Sequence, residues 1–297
     1  MKNGITDSHL EKDTFLKMGF NQLSVGGYWF KWPNVLELRQ HIQQILLAGF
    51  QEVQLHPIIY LIPGCESKSW LPDFQATHEQ RLQRVHEVKT HLAAEVSVVD
   101  PFNEPLQTLE KYPEYVTMAQ VIEIFQAAQS DSWDRRLNTH GILTGDWLDQ
   151  YIEFIQANEG LFECIGIQAH VFAEESMLPS STTMLKRLDK LAEATDLPFE
   201  LSENSCPSGI FNFTQERQAQ WIYDFYMGVV KKHPRFRAYN YWDFRDQEAA
   251  EFNPTSGIKG KKAQKALENA MWGKDYPEED DGFMSWFKQI FDIGDLW

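Results

Sequence analysis

Two glutamates, each at the end of an apolar, β-rich run, are the residues of this chain best placed for chemistry. The stretch Glu95-Val-Ser-Val-Val-Asp-Pro-Phe-Asn-Glu-Pro105 closes on Asn103 and Glu104, and a proline then stops the strand. A second run, expected as a strand over 198–202, is followed directly by Glu203. A carboxylate at the carboxyl end of a buried strand is costly unless it is paired or has a task, and barrel enzymes hold their reactive groups at that end. A plainer reading, in which Asn103 and Glu104 cap the next helix, explains one stretch but not the coincidence of several.

The other expected strands also end in polar or aromatic residues: His56, Asn138 with His140, Gln168 with His170, and Trp242. If the strands are parallel, these ends converge on one face. Two carboxylates there meet the requirement for cleaving a glycosidic bond, one protonating the leaving oxygen and the other attacking or activating water. Asn, Gln and His side chains can bond hydroxyls, and a tryptophan can stack on a sugar ring. A metal site is the sharper rival, with His56, His170, Glu104 and Glu203 as candidate zinc ligands, but no HxH or HExxH spacing supports it.

The elements that would position these residues alternate along the chain. Helical periodicity is expected over 5–18, 35–48, 77–92, 114–129, 145–158, 182–194, 215–232 and 261–271. Strand candidates lie at 20–25, 50–56, 95–102, 136–142, 164–169, 198–202 and 237–243. Strict alternation argues for parallel βαβ units, and this many favour a (β/α)₈ TIM barrel of the α/β class over a doubly wound sheet. Only seven strands are evident, so the first is expected to be absent, atypical and frayed over residues 1–5, or replaced by another segment. The catalytic domain is expected over 1–272. The acidic turn Pro277 to Gly282 and an aromatic helix through Phe283 to Phe291 would form a separate segment, 273–297, packed on the barrel.

Bulk composition narrows the function further. The chain has 297 residues, 43% hydrophobic and 24% charged, with a formal net charge of −16. That charge speaks against nucleic acid, whose phosphates need a basic footprint, and no apolar run reaches the roughly 18 residues of a membrane span. Cys65, Cys164 and Cys206 are scattered, with no CxxC pair, as in a reducing compartment. The start, Met1 to His9, has no apolar signal region, so the expectation is a cytoplasmic protein, or an exported one whose signal lies outside this sequence.

The strand ends together resemble the family 10 glycoside hydrolases, the retaining endo-β-1,4-xylanases. Val98-Val-Asp-Pro-Phe-Asn-Glu-Pro105 is similar to that family's Trp-Asp-Val-Val-Asn-Glu-Ala segment, and Cys164-Ile-Gly-Ile-Gln-Ala-His170 to its Ile-Gly-x-Gln-x-His strand. Phe199-Glu-Leu-Ser-Glu-Asn204 resembles the nucleophile strand, and Tyr241-Trp-Asp-Phe-Arg-Asp246, preceded by Gln218-Ala-Gln220, resembles the Trp-Gly-x-x-Asp strand. Phe20-Asn21, Phe30-Lys31-Trp32, Leu55-His56, Trp70-Leu71, Asp131 and Leu137-Asn138 continue the match, in order, from about residue 5 to about residue 270.

The resemblance implies roles. Glu104 would be the acid/base and Glu203 the nucleophile, working by double displacement. Asn103 would bond the sugar 2-hydroxyl, His170 and Gln168 would orient the site around Glu203, and His56, Lys31 and Trp242 would hold the sugar beside the scissile bond. Asn138, Tyr28, Trp29 and Tyr60 complete the implied sugar-binding set. The implied substrate is xylan or xylo-oligosaccharide, with no metal and no organic cofactor. The departures are Gly27-Tyr28-Trp29 in place of a Glu-Asn-Glu run, Tyr60 in place of a tryptophan, Pro63 in place of a polar residue, and Ala250 where a second tryptophan falls. These suggest that the reaction is kept while recognition is altered. The alternatives are β-mannanase or β-glucanase activity of the same clan, or a carbohydrate-binding barrel with little turnover.

Overall fold

Strand and helix alternate as the hydrophobic pattern dictates. The computed structural model describes residues 2–6, 12–29, 31–61, 72–171, 180–208, 214–241 and 257–276. Its strands are β1 (Lys2–Thr6), β2 (Gln22–Val25), β3 (Glu52–Leu55), β4 (Val98–Val99), β5 (Asp134–Thr139), β6 (Cys164–His170), β7 (Phe199–Ser205) and β8 (Phe236–Tyr241). Each pairs in parallel with the next, and β1 also pairs with β8, from Lys2 opposite Ala238 to Ile5 opposite Tyr241. The sheet therefore closes into an eight-stranded barrel.

Two expected spans are corrected here. The helix expected over 5–18 begins only at Lys12. The first strand is present, formed by Lys2–Thr6, in keeping with the alternative that placed it over residues 1–5. A short run, Lys-Asn-Gly-Ile-Thr, carries little apolar signal of its own; what specifies it is the pair of strand edges that β2 and β8 would otherwise leave unpaired. The strand expected over 95–102 is only Val98–Val99. Pro101 has no N–H to extend the ladder. Past Val99 the chain stays tied by Asp100 N–H to Leu55 O at 2.9 Å and by the Ile59–Phe102 bridge.

Five of the helices start where a side chain accepts their first N–H groups. α1 spans Lys12–Met18, α2 Val35–Leu47, α3 Pro72–Gln75, α4 His78–Leu92, α5 Pro105–Lys111, α6 Met118–Ala127, α7 Leu148–Ala157, α8 Ser181–Ala194, α9 Gln215–Phe225 and α10 Lys262–Met271. Asn34 caps α2, reciprocal Thr–Gln capping boxes open α4 and α6, and Ser180 and Thr214 cap α8 and α9. Among the described residues no helix is long and apolar enough to cross a membrane.

The main core lies between strands and helices. Leu23, Val53, Leu55, Leu137, Ile165 and Leu201 face outward to meet Ile42, Val85, Ile124, Leu188 and Ile222, all fully buried. Because side chains alternate across a strand, their neighbours in sequence face the barrel axis. Those neighbours are polar. Asn240 on β8 bonds Gln54 on β3 at 3.1 Å, and Gln54 bonds Glu200 on β7 at 3.1 Å, contacts that can only cross the interior. Cys164 and Cys206 are buried free thiols; Cys65 and the segment 277–297 lie outside the described residues.

Candidate active site

Glu203 reaches the barrel axis through an irregularity in β7. Ile167 pairs with Leu201, but Gln168 pairs with Glu203, so Ser202 is an extra residue on β7. Strict alternation would aim Ser202 inward and Glu203 outward. The bulge lets both face the axis, Ser202 donating to Asn138 Oδ1 at 2.5 Å and Glu203 meeting the ends of β3, β5 and β6.

Glu104 is aimed by a different device. It has φ 39° and ψ 62°, and it is the one residue other than glycine with positive φ among the described residues. It precedes α5 without capping it, while Asn103 is tied to Ile59 O through its N–H at 3.1 Å. A non-glycine residue in this region carries on the order of 1–3 kcal/mol of strain, which the surrounding contacts must offset.

One amide joins the two carboxylates. Gln168 Nε2 donates to Glu104 Oε1 and to Glu203 Oε1, each at 2.8 Å. These oxygens are therefore no farther apart than twice 2.8 Å. With the two N–H directions of an amide about 120° apart, the gap is about 5 Å, the range of retaining glycosidases and below the roughly 6.5–9.5 Å of inverting ones. His140 Nδ1 donates to Gln168 Oε1 at 2.8 Å, which fixes the amide's orientation.

The Glu203 carboxylate is buried, with a relative exposure of 7%, and is surrounded by donors. Oε1 accepts from His56 Nε2 at 2.7 Å, Gln168 Nε2 at 2.8 Å and Asn138 Nδ2 at 3.3 Å; Oε2 accepts from His170 Nε2 at 3.1 Å. Burial alone would raise its pKa, but His56 and His170 hold it well below the usual carboxylate value. His56 is buried between two carboxylates, Nδ1 against Asp100 and Nε2 against Glu203. Burial would lower its pKa, but the two negative charges raise it from 6.5 to about 9.

The structure brings Glu104, Glu203, His56, Asn103, Asn138, Gln168 and His170 into one hydrogen-bonded group, with Asn138 Nδ2 also donating to Asn103 Oδ1 at 2.9 Å. Tyr28, Trp29, Lys31 and Tyr60 take part in ring contacts of their own. The Tyr28 and Tyr60 rings pack at 5.1 Å, Trp29 lies 5.9 Å from the Arg84 guanidinium, and Lys31 Nζ is 5.7 Å from the Trp32 ring. Trp242, Pro63, Trp70, Leu71 and Ala250 lie outside the described residues. Among the described residues no three His, Cys, Asp or Glu side chains group as metal ligands would.

The sequence reading missed Asp100 and Arg136. Arg136 is fully buried and forks onto Asp100 through Nε at 2.6 Å and Nη2 at 3.0 Å. The available signal was a polar residue at every second position of the strands: Gln22 and Ser24, Arg136 and Asn138.

No family model and no curated protein matches the chain by sequence. Solved structures do match in fold. An endo-1,4-β-xylanase of Penicillium canescens is 15% identical, with a TM-score of 0.70 over 92% of this chain and 95% of that one. Xylanase 10B of Thermotoga petrophila, solved with xylobiose, is 14% identical, with a TM-score of 0.67 over 91% and 94%. A Thermobacillus composti GH10 xylanase is 13% identical, with a TM-score of 0.64 over 91% and 96%. These matches bear out the fold that the resemblance implied: over nine-tenths of its length this chain has the TIM-barrel fold seen in family 10 xylanases.

Proposed function

We propose that this protein is a retaining glycoside hydrolase that cleaves β-1,4-linked xylan or xylo-oligosaccharides, with Glu203 as nucleophile and Glu104 as acid/base. The observation that carries the reading is the Gln168 amide bonded to both carboxylates, which sets a gap suited to double displacement. A fold shared with xylanases, one of them solved with xylobiose, supports the substrate class.

In the first step Glu203 attacks the anomeric carbon as the glycosidic C–O bond breaks, and Glu104 gives its proton to the departing oxygen. Oε1 is held by three donors and Oε2 by one, which leaves Oε2 the oxygen for attack. In the second step water attacks the same carbon and loses a proton to Glu104, and the bond to Glu203 breaks with net retention.

The test is reducing-sugar release from xylan, mannan and β-glucan by the wild type, Glu104→Ala and Glu203→Ala. Wild type should release sugar from xylan, and the first product should keep the β configuration by ¹H NMR. Loss of Glu104 should cost roughly 10²–10⁴-fold in kcat. On an aryl glycoside whose leaving group needs no proton it should cost little in kcat/KM, which reports the first step, while kcat still falls because Glu104 is the base of the second. Release unaffected by Glu203→Ala would overturn the mechanism, and an inverted first product would overturn the retaining assignment.

The Tyr28–Tyr60 pair favours a second reading of the substrate. This tilted ring pair stands where the resemblance implies polar contacts and a tryptophan, so mannan or β-glucan cleavage by the same chemistry is the alternative. Faster release from either polymer than from xylan would establish it. Binding of a polysaccharide without release would instead assign a carbohydrate-binding barrel.

A further inference from the structure

We propose that Arg136, at the centre of the barrel, is a positioning residue that sets the charge and orientation of the Glu203 carboxylate through Asp100 and His56. The proposal rests on the reading of Glu203 as nucleophile for its functional meaning, though its physical content can be measured without turnover.

The contacts run along the barrel axis as a sequence of alternating charges. Glu203 meets His56, His56 meets Asp100, and Asp100 meets the Arg136 fork. Arg136 Nη1 then donates to Glu200 Oε2 at 2.8 Å and to Gln54 Oε1 at 2.8 Å. Below it, Glu200 Oε1 accepts from Arg237 Nε at 2.8 Å, and Arg237 pairs with Asp134 at 2.7 Å where β5 and β8 begin. Arg237 and Asp134 are partly exposed, with side-chain exposures of 34% and 38%; Arg136 and Asp100 are at 0%. Carboxylate and cation thus alternate from one mouth of the barrel to the other.

A layer of Val, Ile and Leu would fill this space at no desolvation cost, as is usual in such barrels. Replacing buried ion pairs by apolar residues is often neutral or stabilising, so stability does not explain the array. Removing one partner, by contrast, leaves an unmatched buried charge. Room for Arg136 is built in: a Cβ on Gly166 would stand 2.8 Å from Arg136 Cδ.

The groups facing each member define what its removal does. His170 faces Glu203 from β6, and Glu104 and His140 are linked to Glu203 through Gln168. The Cys164 thiol lies near Arg136, Glu200 and Arg237, and burial pushes its pKa well up, so it stays neutral. Without Arg136, Asp100 keeps only His56 of its two cationic partners and shares it with Glu203, so a proton is retained between the two carboxylates at a pH where both are ionised in the wild type. With Asp100→Asn, His56 loses one of its two flanking negative charges and becomes easier to deprotonate.

The experiment is an NMR titration of full-length protein carrying ¹³C-carboxyl glutamate and ¹⁵N histidine, with Glu203 and His56 assigned from Glu203→Gln and His56→Gln. Arg136→Met should raise the Glu203 midpoint by about one pH unit or more, and Arg136→Lys should restore at least half of that shift. Asp100→Asn, close in shape to the wild type, should lower the midpoint of His56, and it serves if Arg136→Met does not fold. Arg135→Met, whose side chain instead pairs with Glu163, should leave both midpoints in place. An unchanged His56 midpoint in Asp100→Asn, or an unchanged Glu203 midpoint in a folded Arg136→Met, would overturn the proposal. In an active enzyme the acidic limb of kcat/KM should move with the Glu203 midpoint. A wild type that releases no sugar would sink the glycosidase reading and leave the titration result standing.

Discussion

Glu104 occupies a backbone conformation that its own side chain disfavours. At φ 39° a β-carbon crowds the following carbonyl, a cost of about 1–2 kcal/mol, and Pro105 restricts the residue further. Nothing in α5 needs this shape, since Glu104 makes no capping bond; what the turn achieves is delivery of the carboxylate to Gln168. Glu104→Gly should therefore fold about 1 kcal/mol more stably than Glu104→Ala, with neither active on xylan. Equal urea midpoints for the two variants would mean that the turn relaxes once the carboxylate is gone. Gln168→Ala tests the gap itself. Both carboxylates lose their common donor, and a misplacement of about 1 Å is enough for roughly a 10²-fold fall in kcat with the fold intact. A Gln168→Ala enzyme at wild-type kcat would show that His56 and Asn138 alone hold the spacing.

At the scale of elements, β6 is shaped by what must pass beside it. Gly166 faces the Arg136 stem, and Arg136 cannot yield, because its fork and Nη1 are committed to Asp100, Glu200 and Gln54. Gly166→Ala should thus behave as overpacking, lowering unfolding free energy by about 1–3 kcal/mol in a urea titration, where glycine to alanine in an unobstructed strand would gain stability. A gain would show that the array shifts freely. The same strands show what the sequence could and could not tell. Helix spans and most strands were legible from periodicity, and Glu104 and Glu203 from their position at strand ends. Asp100 was read as part of its strand because its partners, His56 and Arg136, lie 44 and 36 residues away in sequence. The bulge at Ser202 was invisible for a related reason: Phe199-Glu-Leu-Ser-Glu alternates correctly up to Ser202, and only pairing with β6 reveals the extra residue. β1 is likewise defined by its neighbours and not by its own composition.

A barrel interior filled with charges ties the stability of the whole molecule to pH. His56 has a pKa of about 9 in the folded chain against an ordinary 6.5, so folding tightens its hold on a proton. Its stabilisation is complete below about pH 6.5 and is lost as pH rises through about 9; the upper bound is on the order of 3 kcal/mol. Glu203 has the opposite sign. Its pKa is depressed on folding, so its contribution is present above about pH 4.5 and is lost as pH falls through its folded value. Asp73, pushed up by burial to about 6, adds a loss as pH rises, but that loss is complete before the upper window opens. Stability should therefore fall between pH 7 and 9.5, through His56 first and, above about pH 8.5, also through the buried Cys164 and Cys206 thiols that folding holds neutral. Urea denaturation across that window should give a falling midpoint for the wild type and a flatter curve for His56→Gln, which starts lower but has no proton to lose. Parallel curves would mean that the imidazole between Asp100 and Glu203 is not a buried cation, and the alternating array would then lack its central link to Glu203.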